Sequence, residues 1–365
     1  MKFRVEGEIL AEALSAVARV ASTRNNAMPA LSGVHLHVAG DSLKLTCTDN
    51  DLSLRISLSV GGQGDGDAVV SAKLISDIVR SLAGGKVTVE TDGDSISVES
   101  GRSQFTVPAF AVNDFPNIIT ASAPPVTTAA GPFAEALRQV VRAASNDMQR
   151  PALTGVLMSA ESDGLRLVAT DSYRLAVRDL PSTNLLGQGQ HVVIPSRALN
   201  ELQRLIGSGE SVTLCLATER ATFEVGSSQL TTSLLSPEFP NYRQLVLPTY
   251  PNRLVTSREK LLEAVRRSKI MARETTPVRL EMSKDSLRLS VVTPDVGNTV
   301  EELDATSTGA ELTIGFNPEY LAAGVEAVTT DDISIETTDA IKPAVLRGVG
   351  ADEYFYLVMP QRLTT

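Results

Sequence analysis

The chain has 365 residues, 42% of them hydrophobic and 21% charged, which is enough for two or three ordinary domains of a soluble globular protein. No apolar run approaches the roughly 20 residues of a membrane span, and Met1-Lys2-Phe3-Arg4-Val5-Glu6 lacks the apolar core of an export signal, so a cytoplasmic location is expected. A net charge of −10 argues against a nucleic-acid partner only if the charge is evenly spread, and it is not.

In chain order, Leu10, Leu14, Val17 and Ala21 recur at helical spacing and predict an amphipathic helix. Two strands follow, Gly33-Val34-His35-Leu36 and Leu43-Lys44-Leu45, the second running into Thr48-Asp49. Val69-Val70-Ser71-Ala72-Lys73-Leu74 turns a short strand into a second helix, and Lys86-Val87-Thr88-Val89-Glu90 alternates as a strand. The stretch ends on Asp114-Phe115-Pro116-Asn117, and Thr120-Ala121-Ser122-Ala123-Pro124-Pro125 reads as a linker.

The same order then repeats. Phe133, Leu137, Val140 and Ala144 predict a helix, followed by Gly155-Val156-Leu157-Met158 and by Leu165-Arg166-Leu167 running into Thr170-Asp171. Val193-Ile194-Pro195-Ser196-Arg197-Ala198 again turns a strand into a helix, Ser211-Val212-Thr213-Leu214-Cys215-Leu216 is a strand, and Glu238-Phe239-Pro240-Asn241 closes the copy. After a second linker, Leu247-Pro248-Thr249-Tyr250-Pro251-Asn252, a third helix carries Leu261, Leu262 and Val265. Pro277-Val278-Arg279-Leu280, Leu287-Arg288-Leu289 and Thr313-Ile314-Gly315-Phe316-Asn317-Pro318 complete the third copy, with Thr293-Pro294 where the others read Thr-Asp. The first strands begin at 33, 155 and 277, an offset of 122 at both steps. Copies of this length are tandem domains rather than solenoid repeats, and the boundaries fall at 1–121, 122–252 and 253–365. Each copy holds two helix-plus-strands halves, six modules in all.

Catalytic chemistry finds no support. His35 and His37 share one face of a strand but lack a clear third ligand, and His191 is remote. Gly64-Asp65-Gly66-Asp67 lacks the later Glu of a calcium loop and reads as a hairpin turn. Asp171-Ser172 forms no nucleophile motif, and no Gly-rich phosphate loop follows a strand. Cys47 and Cys215 read as buried free thiols. No cofactor and no metal are expected.

The cations gather on the helices. Arg138 and Arg142 lie four apart, Arg266, Lys269 and Arg273 follow at three- and four-residue steps with Arg267 adjacent, and Arg19 and Arg24 fall late in or just past the first helix. The second helices add Lys73 and Arg80, then Arg197 and Arg204. Acidic residues such as Asp65, Asp67, Asp92, Asp94, Glu301, Glu302, Asp331 and Asp332 are expected in turns and at strand ends. Aromatic residues make up only 4% and Trp is absent, so basic helices without base readers suggest sequence-independent contact with a duplex backbone.

Along its whole length the chain resembles the bacterial sliding-clamp family, the β subunits of the replicative polymerase. The matching stretches are Met1-Lys2-Phe3, Gly101-Arg102-Ser103, Asp114-Phe115-Pro116-Asn117, Ala169 through Val177, Phe239-Pro240-Asn241-Tyr242-Arg243, Ile314-Gly315-Phe316-Asn317 and Val358-Met359-Pro360-Gln361-Arg362-Leu363. The resemblance implies an α+β fold of three tandem DNA-clamp domains, each with two helices and antiparallel sheets, closing as a head-to-tail homodimer into a ring around duplex DNA. It implies a non-catalytic processivity factor whose partners are the polymerase III catalytic subunit, the clamp loader, and other DNA polymerases and repair proteins that insert a short peptide. Arg24, Lys73, Arg80, Arg138, Arg142, Arg197, Arg204, Arg266, Arg267, Lys269 and Arg273 would then face the duplex.

By the same resemblance, a peptide pocket between the second and third copies is lined by Leu153, Thr170, Ser172, Tyr173, Arg174 and Leu175. Pro240, Gln244, Leu245, Pro343, Leu357, Met359, Pro360, Gln361 and Arg362 complete it. Ring closure would set Lys73, Leu74, Ile78, Arg102, Gln104, Phe105 and Val107 against Ile270, Met271, Glu301 and Glu302 of a second subunit. The chain departs from the family where Ser172-Tyr173 replaces a frequent Gly-His, Gln244 a frequent basic residue, Gln361 a frequent Met, and Gln104 a frequent Arg. The rival readings are a protein-binding scaffold without DNA and a duplicated clamp kept for antibiotic self-resistance.

Overall fold

The computed structural model describes residues 1–363 apart from 23–27, 83, 208, 237 and 274. Among the described residues the apolar stripes become six α-helices, two in each predicted domain: α1 (Gly7–Ala18), α2 (Ala72–Ser81), α3 (Ala130–Val140), α4 (Ser196–Ile206), α5 (Arg258–Met271) and α6 (Pro318–Ala327). Leu10, Leu14 and Val17 of α1, Phe133, Leu137 and Val140 of α3, and Leu261 and Val265 of α5 are all buried. Each such side chain contributes about 1.5–3 kcal/mol by leaving water, which fixes the face each helix turns inward. Ser71 caps α2 by accepting from Leu74 N, and Asn317 caps α6 by accepting from Glu319 N and Tyr320 N at 2.8 and 3.3 Å.

The chain forms two compact units, residues 1–130 with 204–234 and residues 131–203 with 235–365. Each is built on a 13-stranded sheet. In the first unit the antiparallel sheet continues from Leu52–Ser59 to Ser228–Ser233, with Leu54 opposite Leu230, and α1 packs on α2. In the second it continues from Arg174–Pro181 to Ala351–Val358, with Leu175 opposite Leu357, and α5 packs on α6. The joining strands, starting at 52 and 174, keep the offset of 122. These units cut across the sequence repeat because each continuous sheet hydrogen-bonds strands of neighbouring copies.

Several local expectations are corrected. Ala21 lies past the end of α1, and Arg142 sits in a 3-10 turn, Val141–Ala143, rather than on α3. Helix α5 stops at Met271, where Ala272 turns extended and Thr293 Oγ1 donates to the Met271 carbonyl at 2.6 Å, so Arg273 stands beyond the helix. Gly64–Asp67 is not a hairpin: Gly61–Gly64 pairs with Lys2–Glu6, whereas Gly66–Ser71 pairs with Gly33–Ala39, so the segment carries the chain from one partner strand to another. Glu301 and Glu302 occupy the middle of the strand Gly297–Thr308, not its end. Cys47 is buried but Cys215 only half-buried. His35 Nε2 and His37 Nδ1 both bond Asp67 Oδ1, at 2.8 and 2.9 Å, a partner that spacing along the chain could not reveal.

Candidate functional site

The second unit places a tightly bonded turn at 170–174. Thr170 Oγ1 donates to the Arg174 carbonyl at 2.6 Å and accepts from Ser172 N at 3.1 Å. Asp171 Oδ1 accepts from the backbone N–H of Tyr173 and Arg174, while Asp171 Oδ2 takes Arg174 Nε at 3.0 Å. Ser172 is forced to a φ of 80°, the left-handed region where glycine carries no steric cost. Arg150 Nη1 donates to Ser172 Oγ at 3.0 Å, and Met359 N donates to the Tyr173 carbonyl at 2.8 Å, tying the turn to the C-terminal segment. From the turn, Arg174 reaches over the Tyr320 ring at 4.6 Å, and Tyr173 stacks on that ring at 6.3 Å between centroids.

Beneath the turn lies an apolar cluster of Leu157, Val168, Leu175, Val177, Val193, Tyr242, Val345 and Leu357, against which Leu235, Phe239, Val246, Tyr250 and Phe355 pack. The predicted pocket residues therefore divide. Leu153, Thr170, Leu175 and Leu357 are buried and form a floor rather than a contact surface. Tyr173, Pro240, Gln244, Leu245, Met359 and Arg362 are exposed, and Pro343, Pro360 and Gln361 half-buried. Pro360, Gln361 and Arg362 also line a groove of about 660 Å³ with Thr313, Ala340, Ile341 and Leu363. Gln361 Oε1 is buried there without a hydrogen-bond partner. Ile341, 80% exposed on this rim, was not singled out from the sequence, where a lone Ile in a polar loop carries no periodic signal.

The cations do not all present a free charge. Arg24 lies outside the described residues. Arg138 is part-buried: it pairs with Glu135 at 2.6 Å and donates to the Glu326 and Ala327 carbonyls at 3.2 and 3.1 Å, closing the C-terminus of α6. Arg142 and Arg266 meet on one carboxylate, Glu326, at 2.9 and 3.3 Å, while remaining 61% and 57% exposed. Arg267 pairs with Glu301 at 2.9 Å and Glu263 at 3.4 Å, and Lys269 with Glu319 at 2.6 Å. The hydrogen bond from Arg267, opposed by slight burial, holds the Glu301 carboxyl below its usual range. In the first unit Arg80 reaches Ser15 Oγ at 3.0 Å and Asp77 at 3.5 Å. Lys73, Arg197, Arg204 and Arg273 are exposed.

Of the residues expected at a subunit interface, Ile78 and Val107 are buried within their own unit. Leu74 and Phe105 are exposed, as are Lys73, Arg102 and Gln104, with Gln104 donating to Glu99 Oε1 at 2.8 Å. In the second unit Ile270 is 78% exposed, Met271 half-buried and Glu301 committed to Arg267, while Glu302 is exposed. Val292 and Val300, 70% and 53% exposed, share the outward face of adjacent strands. They were missed from the sequence, although the alternation of Leu287, Leu289 and Val291 as inward residues marks Val292 as outward.

The chain matches the DNA polymerase III beta subunit family in three consecutive stretches: the N-terminal domain over residues 1–119, the central domain over 128–241 and the C-terminal domain over 244–362. It is 33% identical over 381 residues to the beta sliding clamp of Streptomyces coelicolor and 30% identical over 379 residues to that of Escherichia coli, covering 100% of both chains in each case. Among solved structures it is similar to a sliding clamp from Bartonella birtlesii bound to griselimycin, with a TM-score of 0.92 at 30% identity and full coverage of both chains. A clamp from Pseudomonas aeruginosa bound to griselimycin gives a TM-score of 0.91 at 28% identity, again over 100% of both.

Proposed function

The chain belongs to the DNA polymerase III β-subunit family, the bacterial sliding clamps, and from that premise we propose that two copies close into a ring around duplex DNA and tether the replicative polymerase to it. It is a processivity factor, not an enzyme. Membership with three consecutive domain matches supports taking 1–121, 122–252 and 253–365 as its domains. Location with the chromosome in the cytoplasm follows from the same role.

The observation that carries the DNA reading is that Arg142 and Arg266, from different sequence copies, converge on one carboxylate while more than half of each stays open to solvent. Such cations meet phosphates without reading bases, so the contacts fix no register and exchange as the protein slides. Topological linkage lets each contact stay weak. The acidic remainder of the chain keeps DNA from adhering elsewhere.

The turn at 170–174 with Pro240, Gln244, Leu245, Met359, Pro360, Gln361 and Arg362 accepts the short peptides by which the polymerase III catalytic subunit, the clamp loader, other polymerases and repair proteins compete for the ring. Griselimycin-bound relatives support a ligand pocket in this family. The exposed Leu74 and Phe105 of one subunit would meet Ile270 and its neighbours on the next. The test is retention after loading onto closed-circular plasmid and onto the same plasmid linearised. Durable binding to circles with rapid loss from linear ends is expected. Equal loss from both, with a control clamp retained on circles, would overturn encirclement in favour of a scaffold.

A further inference from the structure

Helices α2 and α4, which open the second halves of their copies, carry Lys73 and Arg80, and Arg197 and Arg204. Helix α6 stands in the equivalent place in the third copy and has no basic residue; its only charged side chains are Glu319 and Glu326. Both are turned to cations of the duplex-facing set. Glu319 pairs with Lys269 at 2.6 Å. Glu326 divides its two oxygens between arginines of different elements, Oε2 to Arg142 and Oε1 to Arg266. Its position is not left to chance, because Arg138 holds the Glu326 and Ala327 carbonyls and Gln139 Nε2 holds Ala327 O at 2.9 Å.

We propose that Glu326 is an internal competitor for phosphate that sets how firmly the clamp grips the duplex, an inference that rests on the DNA reading above. One carboxylate holding two guanidiniums leaves one net positive charge on this part of the surface. Glu326 takes one nitrogen of each guanidinium, Nη1 of Arg142 and Nη2 of Arg266, so a phosphate that engages either arginine through its full fork displaces a Glu326 oxygen, and Glu326 recaptures the arginine when the phosphate leaves. Each contact is therefore an exchange of one acceptor for another, not the capture of an unpaired cation. This keeps the affinity low and the step between phosphates fast, which a ring held by topology tolerates.

The experiment measures binding of the full-length clamp to a short linear duplex, by fluorescence anisotropy across a salt series, for the wild-type chain, Glu326→Gln and Glu353→Gln. Glu353 faces Arg178 on a strand and controls for loss of one negative charge. Glu326→Gln keeps the side chain's shape and is expected to bind about three- to tenfold more tightly, with the slope of log K against log salt steeper by roughly 0.9, the signature of one more neutralised phosphate. Adding Arg142→Ala and Arg266→Ala to Glu326→Gln should abolish the gain. Equal affinity and slope for wild type and Glu326→Gln, both with unchanged melting temperature, would overturn the proposal while leaving the DNA reading intact. A gain of the same size in Glu353→Gln, or one that survives loss of both arginines, overturns it equally. No salt-dependent duplex binding by any of the proteins would also overturn the proposal, while encirclement itself stands or falls by retention on circular against linear plasmid.

Discussion

Asn50 and Ser172 stand 122 positions apart and adopt the same left-handed backbone, with φ of 82° and 80°. Each is the central residue of a turn in which a threonine hydroxyl accepts from its N–H and an aspartate Oδ1 accepts from the two N–H groups that follow: Thr48 and Asp49 in the first copy, Thr170 and Asp171 in the second. Ser233 N closes on the Asp51 carbonyl as Met359 N closes on that of Tyr173, both at 2.8 Å. The third copy reads Thr293-Pro294, and a proline there offers neither the carboxylate nor the N–H that Asp49 and Asp171 donate to the Leu52 and Arg174 carbonyls at 3.1 and 3.3 Å.

A β-branched side chain clashes in that backbone, so Ser172→Val and Asn50→Val should each destabilise the fold by about 1–3 kcal/mol. Ser172→Gly relieves the strain at the cost of unfolded-chain entropy and of the bond from Arg150, and should lie within about 1 kcal/mol of wild type. Urea unfolding of the three variants decides; a valine tolerated at both positions would contradict the strain.

The floor and the mouth of the pocket should separate cleanly. Leu357 is 2% exposed, and Leu357→Ala is expected to cost about 2–5 kcal/mol of stability. Leu245 and Met359 are 50% and 37% exposed, so Leu245→Ala and Met359→Ala should leave the melting temperature unchanged within a degree or two. Titration with a polymerase-derived peptide should show each of them weakening binding about tenfold. Full affinity in both would remove them from the site.

Arg138 and Arg142 lie four residues apart but do different things. Arg138→Ala strands the carbonyls at the end of α6 and should lower stability by about 1–2 kcal/mol. Arg142→Ala breaks an exposed pair and should be near neutral in stability while weakening duplex binding and flattening its salt dependence. Denaturant melts read alongside duplex anisotropy would expose an inverted assignment.

Burial outweighs the pull of Asp67 and lowers the proton affinity of His35, with His37 and Arg55 adding to the lowering. Between the folded value and the usual 6.5, the unfolded chain binds a proton that the folded chain does not, so stability should fall as pH drops through that window. Asp67 behaves in the ordinary carboxylate sense: burial opposes, but hydrogen bonds from His37 and His35 prevail and lower its value. Its contribution is present above about 3.8 and lost as pH falls through its folded value. His35→Gln should remove the upper slope, as melting temperatures from pH 8 to 5 would reveal.

Charge on the outward valine face should open the ring. Val292→Asp and Ile270→Asp alter side chains that are 70% and 78% exposed, so the fold should be kept while dimerisation weakens at least tenfold. Sedimentation equilibrium across a dilution series measures this, and an unchanged dimer would move the interface elsewhere.

Legible along the chain were the repeat, the six helices and the inward side of α1, α3 and α5, because periodicity and burial act locally: Leu10, Leu14 and Val17 can turn only one face to a core. It also carried the family, since ordered motifs along the full chain survive without any knowledge of contacts. What each charged or apolar side chain has left to offer depends instead on its partners in space. Arg138 and Arg142 look alike in a helical pattern, yet one closes α6 and the other shares Glu326 with a residue more than a hundred positions away. Leu175 and Leu245 look alike as pocket candidates, yet one is core and the other surface. Long-range pairing sets these differences, because the partner that neutralises a charge or covers a side chain comes from another strand or helix, at a separation that no spacing along the chain records.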